Sequence, residues 1–448
     1  MTKKIRYQYT GSITRAVAAL LIVSAGFASC TKFTELTPKN QLADNTVFTD
    51  SAQVELAING VYNAAAIGSY NDSYTAARGY PFGAASVEQG EMRGEDMINV
   101  EGFYEITYKS QISTTSANNV NMWVNLYSLI NQANVFIEGV KDAGAKGIIS
   151  SGKALQLESE ARFLRALSHH ELLIHFCRPY ASKNGGEPGV PYRETAMNSV
   201  SKIADGIKLG RGTVAETYAK ILADLDFAEP NLSASSKAVN RATQGAAIAL
   251  KMRVKLHKGD YAGVIAEGAK LGTDKAGGFT SPINGYALTA SPDEPFTKND
   301  KNTESVFSIA NSALANGDTN GALPSMFLPS TSGGRGLVAT SPNLYNASFW
   351  ATDDLRRSLL QVKQTTKNAA GVPVDNFYFN YKYRDGVNKS DWAPIIRYAE
   401  VLLTAAEAYA RTGNTAQAFL LYNAVRNRSL PATSPNRITV PPVDMILA

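Results

Sequence analysis

Three of the four histidines in this chain stand in one heptapeptide, His169-His170-Glu171-Leu172-Leu173-Ile174-His175, and these are the residue types from which zinc peptidases build their centre. That chemistry needs two imidazoles four residues apart on one helix face. Ile174 holds the required position and His175 comes one residue late, so helical geometry excludes a metal pair. The segment predicts instead a structural helix whose histidines are partly buried or at the surface. Cys177 follows His175 by two residues, which places the two on different helix faces. Nucleophile activation is not expected, and Cys177 reads as a small buried apolar thiol. Gly333-Gly334-Arg335-Gly336 has no strand before it and no helix after it, so it predicts a flexible loop rather than a phosphate cradle. No metal site and no cofactor are expected.

Glu88, Glu91, Glu95 and Asp96 are the nearest approach to a carboxylate pair of the kind that cleaves glycosides, and solvated loop carboxylates are the favoured reading. The aromatic supply nearby is more informative. Tyr70, Tyr74, Tyr80, Phe82, Phe103, Tyr104 and Tyr108 share one stretch with Asp96, Asn99 and Asn118. The apolar face of a pyranose packs on a ring while its hydroxyls require polar partners, so rings beside amides and carboxylates make a sugar-binding surface. Any single ring is more often core. As a set they place the candidate ligand site at Tyr74, Asp96, Asn99, Phe103 and Tyr104, and alanine at Phe103 or Tyr104 is expected to weaken glycan binding with little change in stability.

The elements that must hold such a site are mostly helical. An Asp50 or Ser51 cap opens a helix over 52–65, and apolar residues three and four apart mark helices over 122–141 and about 153–177, a helical hairpin. Thr213 and Glu216 form a capping-box spacing that opens a helix to about Leu232. A further helix covers about 243–257, and Gly259-Asp260 starts a short one. Residues 68–119 lack a helical period and read as a long loop that is too long to be a passive connection. Residues 272–394 carry short strands, among them 305–310 and 376–383. In the second strand Phe377, Phe379, Tyr381 and Tyr383 alternate onto one face, and Asp385-Gly386 supplies a turn. Helix resumes at Ile395. Ala406, Tyr409, Gly413, Ala418, Tyr422 and Pro431 fall close to the spacing of a tetratricopeptide unit of about 34 residues, and 246–271 repeats the theme around Gly259. The expected architecture is a stack of helical hairpins with long loops on one side.

Hydrophobic residues make up 44% of the 448 and charged residues 19%, enough to bury a large core. The formal charge of +5, from 44 basic and 39 acidic residues, is too even for a nucleic-acid binder. Lys3, Lys4, Arg6 and Arg15 precede the apolar run 16–28, the layout of a secretory signal rather than a membrane span, and without those four cations the chain is close to neutral. Cys30 follows directly in Phe27-Ala28-Ser29-Cys30. This resembles a bacterial lipobox, with Phe27 in place of the usual Leu, in which the cysteine is acylated and anchors a soluble body to a membrane surface. The alternative is an ordinary cleaved signal in which Cys30 has no role. If Cys30 is acylated, Cys177 has no partner and no disulfide forms.

Four segments together resemble the SusD/RagB family of outer-membrane lipoproteins of Bacteroidetes: the lipobox followed by FTELTPKNQLADNTVFTD, then WVNLYSLINQANVFIEGV, ESEARFLRALSHHELLIHFCRPY and RYAEVLLTAAEAYARTGNTAQAFLLYNAVRNR. The resemblance implies a lipid-anchored outer-membrane protein facing the cell exterior, mostly α, with four tetratricopeptide-like units, long loops and a few short strands. It further implies that the protein binds oligosaccharides without cleaving them and passes them to a SusC-type TonB-dependent transporter. Residues 1–29 then form the lipoprotein signal peptide, 30–50 a lipidated tether beginning at Cys30, and 51–448 one helical domain. Two features depart from the family pattern: the usual charged C-terminal helix and closing region do not follow Val443 to Ala448, and Thr31 and Lys32 supply no acidic cluster after Cys30. The family's binding residues lie in variable loops, so none is carried over individually. The rival readings are a surface glycoside hydrolase and a tetratricopeptide-like interaction module without a glycan ligand.

Overall fold

Most of the long helices begin where a side chain accepts from one of the first orphan N–H groups. In the computed structural model, which describes residues 47–68, 78–367 and 373–439, helix α1 (Ser51–Ile67) opens with the Asp50 carboxylate accepting from the Gln53 N–H at 2.9 Å. Helix α2 is the short Ala84–Glu91, α3 is Ala117–Ala145, and α4 is Ser151–Phe176, capped by Ser150. Helix α5 (Val214–Asn231) carries both halves of the expected capping box between Thr213 and Glu216. Helices α6 (Gln244–Lys258) and α7 (Tyr261–Lys270) are joined by Gly259 at φ +77°, followed by Asp260 as the cap of α7. Helices α8 (Tyr398–Arg411) and α9 (Thr415–Arg428) reuse that device, with Gly413 at φ +89° and Asn414 as the cap of α9. A left-handed glycine followed by a side-chain cap turns the chain sharply enough for two helices to pack side by side.

The helices pack in a chain of neighbours, α3 on α4, α4 on α5, α5 on α6, α6 on α7, α7 on α8 and α8 on α9. The two glycine-joined hairpins therefore meet through α7 and α8, as the repeat spacing predicts. Apolar stripes at helical spacing fill the joints: Leu126, Leu129, Ile130 and Ala133 of α3, and Leu157, Ala161, Leu164 and Leu172 of α4, are at most 1% exposed. Full burial of each such side chain stabilises the fold by about 1.5–3 kcal/mol.

Polar clusters fix which helix faces meet. Arg165 of α4 is buried and donates to both Asp224 oxygens of α5, at 2.8 and 2.6 Å, and to Asn134 of α3 at 2.7 Å. The Tyr192 hydroxyl also donates to Asp224, at 2.5 Å. Between α6 and α8, Arg253 grips Glu400 through two bonds of 2.6 and 2.8 Å. Bidentate geometry of this kind sets orientation as well as distance.

Among the described residues, three antiparallel two-stranded pairs accompany the helices: β1 (Met97–Asn99) with β3 (Val338–Thr340), β2 (Ser305–Ile309) with β6 (Ala393–Arg397), and β4 (Gln361–Lys367) with β5 (Pro373–Asn380). Several expectations are corrected here. Residues 84–91 are helical and 97–99 are a strand, inside what reads as a long loop, because both elements are too short to show a period. Helix does not resume at Ile395: residues 393–397 pair with β2, and helix starts at Tyr398. Strand β5 ends at Asn380, so Tyr381 and Tyr383 do not extend the alternating face; β5 pairs with the preceding β4, and the turn expected at Asp385-Gly386 is present over residues 386–388.

His169 and His170 are fully buried, not partly exposed. His169 stacks on Tyr192 with ring centroids 3.8 Å apart, and its Nε2 accepts from the Arg193 N–H at 3.2 Å. His170 Nε2 lies 3.1 Å from His257 Nδ1. Burial pushes both imidazoles down to about 3, so both are neutral at pH 7. No group of three metal-ligating side chains occurs among the described residues. Cys177 caps α4, is only half-buried, and has its thiol pushed up by burial against the opposing pull of Arg211.

Candidate functional site

The segment from Arg78 to Tyr108 is anchored by close backbone approach. Gly79, at φ +86°, lies where a Cβ would sit 2.6 Å from the Ala85 nitrogen and 2.9 Å from the Gly321 oxygen. The Ala84 N–H donates to that same Gly321 carbonyl at 3.1 Å, so only glycine lets the two loops dock. Tyr80, Phe82 and Tyr104 are buried beneath this junction. The Tyr80 hydroxyl donates to Gln89 at 2.9 Å. Glu88 of α2 is buried with them. Burial pushes its carboxyl up to about 8, opposed by the neighbouring Tyr104 hydroxyl and Arg335 guanidinium.

The five residues expected to bind ligand therefore separate. Tyr104 is 0% exposed, which corrects its expected role: the ring is core, and its hydrophobic area holds the loop. Asn99 ends β1 and spends its side-chain oxygen on the Tyr104 N–H at 3.4 Å, fixing the turn. Phe103 is 37% exposed, packs edge-on against Tyr104, and lies 4.8 Å under the Arg335 guanidinium. Asp96 is exposed and lines a cleft. Tyr74 lies outside the described residues, as do Tyr70 and Cys30.

The cleft has a volume of about 170 Å³ and brings Glu91 and Asp96 together with Gln361, Asn380 and Lys382. Pairing of Met97 with Thr340 sets Asp96 against β3, and the Ser341 N–H donates to the Asp96 carbonyl at 2.9 Å. Gln361 and Asn380 are direct cross-strand partners on the β4–β5 hairpin. The Thr340 hydroxyl donates to the Gln361 side-chain oxygen at 2.7 Å, and the Lys382 N–H donates to the Asn380 side-chain oxygen at 2.9 Å. Both carboxamides are thus held by their oxygens, which leaves their NH₂ groups as donors. Burial raises the Glu91 carboxyl, with Lys382 opposing and Asp96 reinforcing. Burial and the nearby Arg397 lower the Lys382 ammonium to about 8.

An aromatic rim continues the same hairpin face. Residues two apart on a strand share a face, so Tyr378 stands beside Asn380. Its ring stacks on Tyr345, with centroids 3.6 Å apart and planes 13° apart. Arg357 lies 4.5 Å over Tyr345 and 4.7 Å over Trp350, and donates to the carbonyls of both at 2.7 Å. Phe349, in the same loop, is 75% exposed. Donors, carboxylates and flat rings within one cleft and its rim can bind a polyol with one apolar face. Sequence reading missed Tyr345, Gln361, Tyr378, Asn380 and Lys382. Two signals pointed to them: the aromatic loop Leu344 to Trp350, and the alternation at Phe377 and Phe379, whose opposite face is Tyr378 and Asn380.

Comparison with known proteins agrees with this architecture. Residues 33–256 match a family model described as starch-binding associating with outer membrane, and residues 289–437 match that of the SusD family. A SusD superfamily protein of Bacteroides fragilis is 26% identical, with 87% of this chain and 82% of that one aligned at a TM-score of 0.70. A SusD superfamily protein of Bacteroides thetaiotaomicron is 22% identical over 87% of this chain and 82% of its own, at 0.69. A laminarin-binding SusD-like protein is 21% identical over 86% of each chain, at 0.65. No curated protein matches the chain. The two family matches span half of the chain and most of the remainder, and the helical stack and short strand pairs are those of the solved relatives: the chain belongs to the SusD family.

Proposed function

We propose that this protein captures oligosaccharides at the cell surface and delivers them to a SusC-type TonB-dependent transporter, held to the outer membrane by acylated Cys30. The observation that carries the reading is the cleft at Asp96, Gln361 and Asn380, with the stacked Tyr345 and Tyr378 rings at its rim. Hydroxyls require the donors and carboxylates, and the apolar sugar face requires a ring. Family membership supports the same role, since SusD family proteins are non-catalytic glycan-binding proteins, and one solved relative is described as binding laminarin. Asp96 is the direct contact among the residues singled out from sequence. Phe103 flanks the loop as an exposed ring, Asn99 positions the turn, and Tyr74 is an additional ring of the same segment. The lipobox at Phe27 to Cys30 supports the anchor, and the family resemblance supports the transporter partner.

The test is a glycan array and affinity-gel screen of residues 31–448 with product analysis on every hit. Retention without cleavage is expected. Release of shortened products would move the protein to the hydrolase reading, and a folded sample that retains no glycan overturns the proposal.

A further inference from the structure

Lys382 forms part of the wall of two cavities. One is the cleft described above. The other, of about 400 Å³, opens beside α8 and α9 and is lined by Arg356, Arg397 and Arg428 as well as Lys382. Two carboxylates of that wall, Glu400 and Glu407, already have guanidinium partners in Arg253 and Arg411, at 2.6 and 2.8 Å. The fully buried Glu304 is shared by two cations, Arg397 at 3.0 Å and Arg428 at 2.5 Å. Arg356 is matched by Asp354.

That leaves a surplus of positive charge. Among the described residues Lys382 has no ion-pair partner. Its ammonium lies 5.2 Å from the Phe296 ring centroid, and the Arg397 guanidinium lies 5.1 Å from the same ring, so two cations converge on one aromatic side chain. Arg428 is only 9% exposed, and its Nε is buried without a hydrogen-bond partner. A buried donor left unmade is costly, and so are like charges gathered at a desolvated wall. An oxyanion in the cavity would relieve both, because hydrogen bonds between ammonium or guanidinium and an anionic oxygen are shorter and stronger than neutral ones.

We infer that the larger cavity is a subsite for an anionic substituent of the captured saccharide, a uronate carboxylate or a sulfate ester, held by Lys382, Arg356 and Arg428 while the uncharged part lies in the cleft. This rests on the glycan-capture reading and narrows its ligand class to acidic glycans. Burial, with Arg397 and Arg356, lowers the Lys382 ammonium, and the nearby Glu91 and Asp96 oppose them.

Titration calorimetry with two matched pairs tests it: oligogalacturonides against their fully methyl-esterified forms, and dextran sulfate oligomers against dextran. One charged member is expected to bind at least ~10-fold more tightly than its neutral twin, with the preference shrinking as salt is raised. The pair that shows the preference identifies carboxylate or sulfate as the source. Lys382→Met is expected to reduce that ratio to near one. Arg356→Gln is expected to lower it several-fold. Equal binding of charged and neutral twins, no binding of the charged members, or a ratio that survives both substitutions overturns the anionic subsite. Retention of a neutral glycan in the wider screen would then leave the capture reading standing, and silence in both experiments removes the two together.

Discussion

The rings of Tyr345 and Tyr378 stack at 3.6 Å, joining a loop to a strand so that a flat surface stands at the edge of a cleft lined by amides and carboxylates. Arg357 holds the loop side of the stack through the carbonyls of Tyr345 and Trp350. The surface is therefore ordered before any ligand arrives, and less conformational entropy is lost on binding.

Removal of the strand-side ring tests this directly. Tyr378→Ala is expected to weaken retention of the best glycan hit roughly tenfold, about 1.4 kcal/mol, because the sugar face loses its platform. Tyr378 is only half-buried, so the denaturation midpoint should stay close to that of the parent. Unchanged affinity in calorimetry would remove the rim from the site.

Phe103 and Tyr104 are adjacent in sequence but occupy opposite environments. Tyr104→Ala empties a fully buried position and is expected to cost about 3–5 kcal/mol of stability, the range for large aromatic truncations in cores. Phe103→Ala removes a ring that is 37% exposed, and its stability cost should stay below about 1.5 kcal/mol. Urea unfolding of the two variants separates them, and equal losses would mean that the loop packs differently from the arrangement described.

The Arg165–Asp224 pair predicts a third effect. Breaking a buried ion pair from one side leaves an uncompensated charge, so Asp224→Asn or Arg165→Met is expected to cost about 3–5 kcal/mol. The two changes together should cost less than their sum, because neither charge is then left alone. A double-mutant cycle by chemical denaturation measures the coupling, and strict additivity would show that Asn134 and Tyr192 carry the contact instead. Neither residue lines the cleft, so glycan affinity of the folded variants should not change.

These residues also show what could be read from the sequence. The long helices were legible because apolar residues repeat at helical spacing and because Thr213 with Glu216, and glycines 259 and 413, carry terminus chemistry that does not depend on tertiary contacts. Helix α2 and strand β1 were not legible: eight and three residues are too few for a period, and tertiary docking at Gly79 and Gly321 stabilises them. Asp96 was legible as a candidate but its partners were not, since Gln361, Asn380 and Lys382 reach it only through the pairing of β1 with β3 and of β4 with β5. Tyr104 misled because an aromatic residue in an irregular segment looks the same in sequence whether it faces solvent or the core.

Glu88 gives the last prediction, a pH dependence with a defined sign. Its neighbours Tyr80 and Tyr104 are neutral hydroxyls held so by burial, and Arg335 is the nearby cation. Burial raises the carboxyl from its ordinary 4.5 to about 8, so between those values the folded protein keeps a proton that the unfolded chain has released. The contribution is fully present below about 4.5 and is lost as pH rises toward about 8. His169 and His170 work in the opposite sense: burial takes them from 6.5 down to about 3, so their contribution is present above 6.5 and is lost as pH falls through that range. Glu88→Gln keeps the side-chain shape and removes the ionisation. The variant is expected to gain stability relative to the parent steadily from pH 5 to pH 8, with the acid limb set by the histidines unchanged. Urea midpoints measured across that range would show a widening gap in favour of the variant; a constant gap would mean that Glu88 is ionised in the folded protein and draws its compensation from Arg335.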